Sequence, residues 1–215
     1  MKSPKVISFD AEGTLVTPEF SIVVWRQALP EMFARKNGIS CDEAREYVRK
    51  EYERLGEHCV EWYDISYWFG RWGLGDYREL LENHRNYINY YPETKEVLSR
   101  LSRSNKMIVS SASSRQFLNM LMEDIGDNFA SVFSSISDYG LVKTENFYRK
   151  VCEVMDVQPE DIVHVGDSWD FDFVAPGKMG IRAYYLDREG VRQGPNVVKN
   201  LQEFVSKVLE METPQ

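Results

Sequence analysis

Val6-Ile7-Ser8-Phe9-Asp10-Ala11-Glu12-Gly13-Thr14-Leu15-Val16 is the stretch from which the fold of this 215-residue chain can be read. Lys5 to Phe9 is a short, mostly apolar run, with Val6, Ile7 and Phe9 suited to a buried parallel strand. It ends abruptly in an acid, and Gly13 then breaks the chain direction. Similar runs recur much later, at Met107–Ser110, Ser131–Ser135, Ile162–Val165 and Ala183–Leu186. Helix-like segments separate them: Pro92–Ser102, Ser114–Ile125, Glu145–Met155 and Asp172–Met179. This alternation predicts an α/β fold with a Rossmann-like parallel sheet and helices on both faces.

The interval from Thr17 to Tyr91 is far longer than a single crossover needs. Its content is helical and aromatic. Phe20–Ala34 has apolar residues at helical spacing, with Pro30 as the expected kink or break. Cys41 opens a charged helix to Leu55, and Asp76–Tyr87 forms another. Between them Trp62–Trp72 reads as a helix, with Ile65, Trp68, Phe69 and Trp72 on one face. That face is expected to form the core of the insert, with one or two of the rings turned toward a site. The organisation expected is a core of residues 1–16 and 92–215, interrupted by a helical cap at 17–91. The tail Glu210–Gln215 is expected to fray.

Composition narrows the function. At 43% hydrophobic and 28% charged, the chain has an ordinary globular makeup. A formal charge of −8 argues against nonspecific nucleic-acid binding, but not against a local cationic site for a small anion. Cys41, Cys59 and Cys152 lack metal-site spacing and read as free thiols. No apolar run reaches membrane-spanning length, and Met1-Lys2-Ser3-Pro4-Lys5 passes straight into the first strand. The expectation is a cytoplasmic protein with no membrane or nucleic-acid partner; the sequence leaves oligomeric state open.

In an open parallel sheet, ligands bind beyond the carboxyl ends of the strands. There the sequence places Asp10, Glu12 and Thr14, then Ser110 and Ser111, then Lys143 ahead of a helix, then Asp167, Asp170 and Asp172. Carboxylates, hydroxyls and a single cation on one edge suit Mg²⁺ and a phosphate. Asp170 reads as a solvated loop acid, and His164, inside the fourth run, as a packed core histidine.

These residues resemble the four motifs of the haloacid dehalogenase superfamily. Val6–Val16 is similar to the first, Ile108-Val109-Ser110-Ser111 to the second, Lys143 to the third, and Val165-Gly166-Asp167-Ser168 with Asp172 to the fourth. The motifs occur in order across nearly the whole chain, and members carry a helical cap where the insert lies. The resemblance implies a Mg²⁺-dependent phosphatase acting on a small phosphate ester. Asp10 would be the nucleophile, forming an aspartyl-phosphate. Asp10, the backbone carbonyl of Glu12 and Asp167 would hold the metal. Lys143 and Ser110, with Ser111 as the second choice, would hold phosphate oxygens. Asp172 would orient Lys143, and Thr14 and the amides near Gly13 would shape the loop under the phosphate.

The sequence departs from that pattern at residue 12. The phosphatases usually carry Asp as the acid/base; here it is Glu12. One extra methylene displaces the carboxyl by roughly 1–1.5 Å. Two alternatives follow. A metal-free 2-haloacid dehalogenase would attack carbon through Asp10 and needs a cationic halide cradle, for which Arg26 is the nearest candidate. A catalytically slow binding module would use the same scaffold.

Overall fold

The computed structural model describes residues 4–102 and 105–212. Met1–Ser3, at the start of the predicted N-terminus, and Thr213–Gln215, at the end of the predicted tail, lie outside them. The core is a six-stranded, wholly parallel sheet in the order β3-β2-β1-β4-β5-β6. The strands are β1 (Val6–Phe9), β2 (Lys106–Ser111), β3 (Ser131–Ser134), β4 (Ile162–Gly166), β5 (Arg182–Leu186) and β6 (Val197–Val198). Five of the six match predicted runs; the two-residue β6 was too short to read.

Alternation along β1 explains why both faces are covered. Ile7 and Phe9 enter one apolar cluster with Val109, Val165, Phe117 and Phe204. Val6 enters the opposite one with Ile108, Phe147, Val151 and Ile162. Chain order reverses around β1, since β2 lies on one side and β4 on the other. The carboxyl end of β1 is therefore the crevice at which such sheets bind ligands.

A helical insertion fills the interval between β1 and β2. It contains α1 (Glu19–Val23), α2 (Leu29–Asn37), α3 (Cys41–Leu55), α4 (Ile65–Trp72) and α5 (Tyr77–Asn83). α6 (Thr94–Leu101) then leads back into the sheet. The two ends of the insertion run side by side: Val16 bridges Tyr90, and Thr17 N donates to Asn89 O at 2.8 Å.

Pro30 does not break its helix. It lies in the first turn of α2, and a π-turn at Val24–Ala28 joins α1 to α2 ahead of it. The wide turn accommodates a ring that would otherwise clash with the carbonyl four residues back. The expected Trp62–Trp72 helix is in fact a 3₁₀ turn at Val60–Tyr63 followed by α4, which Asp64 caps by accepting from Ser66 N. Ile65, Trp68, Phe69 and Trp72 are buried as one face. Asp76–Tyr87 is likewise α5 plus a short 3₁₀ turn.

The remaining helices are α7 (Arg115–Leu121), α8 (Ser135–Tyr139), α9 (Glu145–Met155), α10 (Ala175–Lys178) and α11 (Leu201–Glu212). The expected helix at Asp172–Met179 is only α10, preceded by a π-turn over Trp169–Val174. α11 corrects the reading of the tail, since helix continues through Glu212. Among the described residues no helix is long and apolar enough to cross a membrane. The cysteines form no disulfide.

Candidate active site

Parallel register lays Phe9 beside Val109 and Val165, so Asp10 emerges level with Ser110 and Gly166. Lys143 reaches in from the loop before α9, and its Nζ lies 2.6 Å from Asp10 Oδ1 while also contacting Asp172 Oδ1. Asp172 comes from the π-turn after β4, which aims it back under the sheet edge. Its other oxygen accepts from Ser168 N at 2.9 Å. Carboxylate oxygens of Asp10, Asp167 and Asp172 lie within 4.8 Å of one another. These groups floor a cavity of about 760 Å³ whose opposite wall is the helical insertion.

Two glycines make the arrangement possible. A Cβ on Gly13 would lie 2.1 Å from Asp167 Oδ2, and its φ of +80° already excludes most side chains. A Cβ on Gly166 would lie 2.3 Å from Asp172 Cγ.

Crowding of acids sets the electrostatics. Burial pushes Asp10 up to about 6; the charge of Asp172 adds to this and Lys143 partly offsets it. Burial alone would also raise Asp172, but Lys143 and His164 outweigh it and hold that carboxyl well below the usual range. Burial deep in the cleft, with the charges of Asp10 and Asp172, pushes Asp167 up to about 8, although its side chain faces the open cavity. Burial pushes Glu12 up to about 7. Burial thus raises both carboxyls at the end of β1, and Asp10, beside Lys143, is raised to the lower value of the two.

A family model described as haloacid dehalogenase-like hydrolase matches residues 4–180. The chain belongs to this family of hydrolases. Over 68 residues it is 35% identical to the GMP/IMP nucleotidase YrfG of Escherichia coli, a match spanning 32% of this chain and only 30% of the nucleotidase. It is 23% identical to the glyceraldehyde 3-phosphate phosphatase of Pyrococcus furiosus over 99% of this chain and 95% of that one. The crystal structure of a HAD phosphatase from Thermococcus onnurineus superposes with a TM-score of 0.83 at 26% identity, covering 97% of this chain and 98% of that one. Solved 2-haloacid dehalogenases share the fold at 18–20% identity.

Within this hydrolase, neither Ser110 nor Thr14 reaches the cavity, and for Ser110 the expected phosphate contact needs correction. Ser110 is fully buried and turned away from the cavity, its Oγ accepting from Ser8 Oγ at 2.9 Å. Ser111, on the other face of β2, lines the cavity together with Ala112 and Ser113. β2 runs one residue past the predicted end, and alternation gives the wall to the later serine. Thr14 is also fully buried and does not line the cavity, because the turn at Gly13 points it inward. Asp170 is exposed, as expected.

Three features escaped the sequence reading. His164 is not simply packed: its Nδ1 lies 2.8 Å from Ser8 Oγ and its Nε2 lies 3.0 Å from Asp172 Oδ1, so it backs the acid that holds Lys143. Arg188 donates to the carbonyls of Gly13 (3.3 Å) and Thr14 (2.9 Å) and pairs with Glu93. Ser21, on α1 of the insertion, donates to Glu12 Oε2 at 2.6 Å. No local pattern points to such long-range pairs.

The donor set fits a small divalent cation. Three carboxylates gather around a single lysine that contacts two of them, leaving an excess of negative charge, and Asp172 is already taken up by Lys143, His164 and Ser168. Asp10 and Asp167 therefore present the hard oxygens that Mg²⁺ takes, one or two carboxylates at a time.

Proposed function

We propose that this hydrolase is a Mg²⁺-dependent phosphatase that cleaves a small phosphate monoester through a phosphorylated Asp10. The observation that carries the reading is Lys143 held between Asp10 and Asp172 with Asp167 alongside, at the carboxyl end of β1. The nucleotidase and phosphatase among its relatives support a phosphate ester as substrate.

In this reading an Asp10 oxygen attacks phosphorus and the bond to the leaving oxygen breaks. Glu12 gives its proton to that oxygen. A water then yields a proton to Glu12 and attacks the same phosphorus, freeing Asp10 and inorganic phosphate. Lys143 and Ser111 hold phosphate oxygens, and Asp172 positions Lys143. Mg²⁺, held by Asp10, Asp167 and the carbonyl of Glu12, would offset repulsion between the anionic nucleophile and its anionic substrate.

The dehalogenase reading gains one point from the structure, since Arg26 lines the cavity as that reading requires. Against it, a halide or a 2-halo carboxylate would have to approach a floor of three carboxylates. The test is release of inorganic phosphate from p-nitrophenyl phosphate and a metabolite panel. Turnover with Mg²⁺ and its loss on chelation are expected. Halide release from a 2-halo acid, with no phosphate release from any ester, would overturn the proposal.

The extra methylene of Glu12 also acquires a purpose. It carries the carboxyl to Ser21, which holds it from the insertion side. Glu12→Asp is therefore expected to lower kcat by about 10- to 100-fold, because displacements near 1 Å cost about that much. The effect should be larger for alkyl than for p-nitrophenyl esters, whose leaving group needs no proton. A rise in kcat in Glu12→Asp would mean that the length of Glu12 is a defect.

A further inference from the structure

The insertion contains two kinds of aromatic residue. Trp68 and Trp72 are sealed in its core, at 1% and 9% exposure. Trp25, Tyr52, Trp62 and Tyr63 are only half-buried, and all four line the cavity above Asp10. They form an unbroken series of ring contacts. Trp25 stacks on Phe117 of the core at 5.3 Å and 10°, Tyr52 meets Trp25 at 5.9 Å, Trp62 meets Tyr52 at 6.5 Å, and Tyr63 meets Trp62 at 4.7 Å. Half-buried rings along a concave wall offer flat apolar surface that water covers poorly, the usual makeup of a small-molecule pocket.

Charge on the same wall is largely spent. Arg45 pairs with Asp42 and Glu31, and Arg49 with Glu46 and Glu53. Arg26 is exposed and has no ion pair among the described residues. A second phosphate far from Asp10 would meet paired arginines and aromatic carbon, with Arg26 alone as an unpaired cation among the described residues of that wall, against the several that a tightly held phosphate takes. A substrate body of a few carbons would leave most of about 760 Å³ unfilled, a volume that suits a ligand of drug or nucleoside size.

We propose that the substrate is a phosphate monoester carrying one phosphate and an uncharged, ring-bearing body of about nucleoside size, laid along the Trp25–Tyr52–Trp62–Tyr63 wall. This rests on the phosphatase reading for the phosphate end and on the insertion alone for the body.

Equilibrium binding to the Asp10→Asn protein with Mg²⁺ separates the two. A nucleoside 5′-monophosphate or benzyl phosphate is expected to bind at least about tenfold tighter than glycerol 3-phosphate or a hexose bisphosphate, since base–aromatic stacking is typically worth that much or more. Trp62→Ala should erase most of that ratio and Trp62→Phe should keep it. Tyr52→Leu gives the same reading if Trp62→Ala does not fold. Equal or tighter binding of glycerol 3-phosphate, or a ratio unchanged in a folded Trp62→Ala, overturns the inference. Ring-selective binding with no turnover of any ester by the wild type would keep the cavity assignment and remove the phosphatase reading.

Discussion

Asp10→Asn is expected to lower phosphate release by at least about a thousandfold, because it removes the attacking oxygen and leaves only binding and electrostatics. Asn has nearly the shape of Asp, and its carbonyl can still accept from Lys143. The variant should therefore fold and melt within a few degrees of the wild type. Burial already penalises the Asp10 charge, as its rise to about 6 indicates, so removing that charge offsets the lost pairing with Lys143. Steady-state kinetics with a thermal melt on the same preparation checks both halves. A folded variant that keeps a tenth of wild-type activity would remove Asp10 as the nucleophile.

Lys143→Met is expected to affect both stability and activity. Its side chain is 2% exposed and is the cation between Asp10 and Asp172. Methionine fills similar space without charge. Breaking a buried ion pair by removing one partner costs about 3–5 kcal/mol, since the carboxylates are left desolvated and mutually repelling. The sign with pH follows. Without Lys143 the folded-state pKa values of Asp10 and Asp167 lie further above their unfolded values and that of Asp172 rises from its depressed position, so relative to the wild type the variant loses stability as pH rises through them. Its deficit should be largest above about 8, where Asp167 also ionises, and should narrow below about 6, where Asp10 takes up a proton. Urea melts at several pH values measure this. A deficit that is small at every pH, or that grows toward acid, would contradict the assigned role. Loss of the phosphate-holding charge should also cost at least about a hundredfold in kcat.

Much of this was legible because strand ends are legible. A buried apolar run that stops at an acid marks both a strand and the direction of its carboxyl end, which makes the places of Asp10, Asp167 and Asp172 readable, and the alternation of strand and helix adds Lys143 ahead of α9. The error at Ser110 has the same origin. Reading β2 one residue short inverts which side of the sheet its last serine faces. α11 was readable in principle, since Leu201, Phe204, Val205 and Val208 are all buried at helical spacing. The pairs Ser21–Glu12 and Arg188–Gly13 were not. They join residues whose meeting depends on how the insertion and the end of β5 fold back over the first loop, and no local periodicity encodes that.

Passage of phosphate through Asp10 can be caught by acid-quenching the enzyme during turnover of a phosphate monoester with Mg²⁺ and mapping its peptides by mass. The peptide containing Asp10 is expected to gain one phosphoryl group, a gain absent in Asp10→Asn. A rapid-quench series with full turnover and no adduct at any time, or an adduct on another residue, would contradict it.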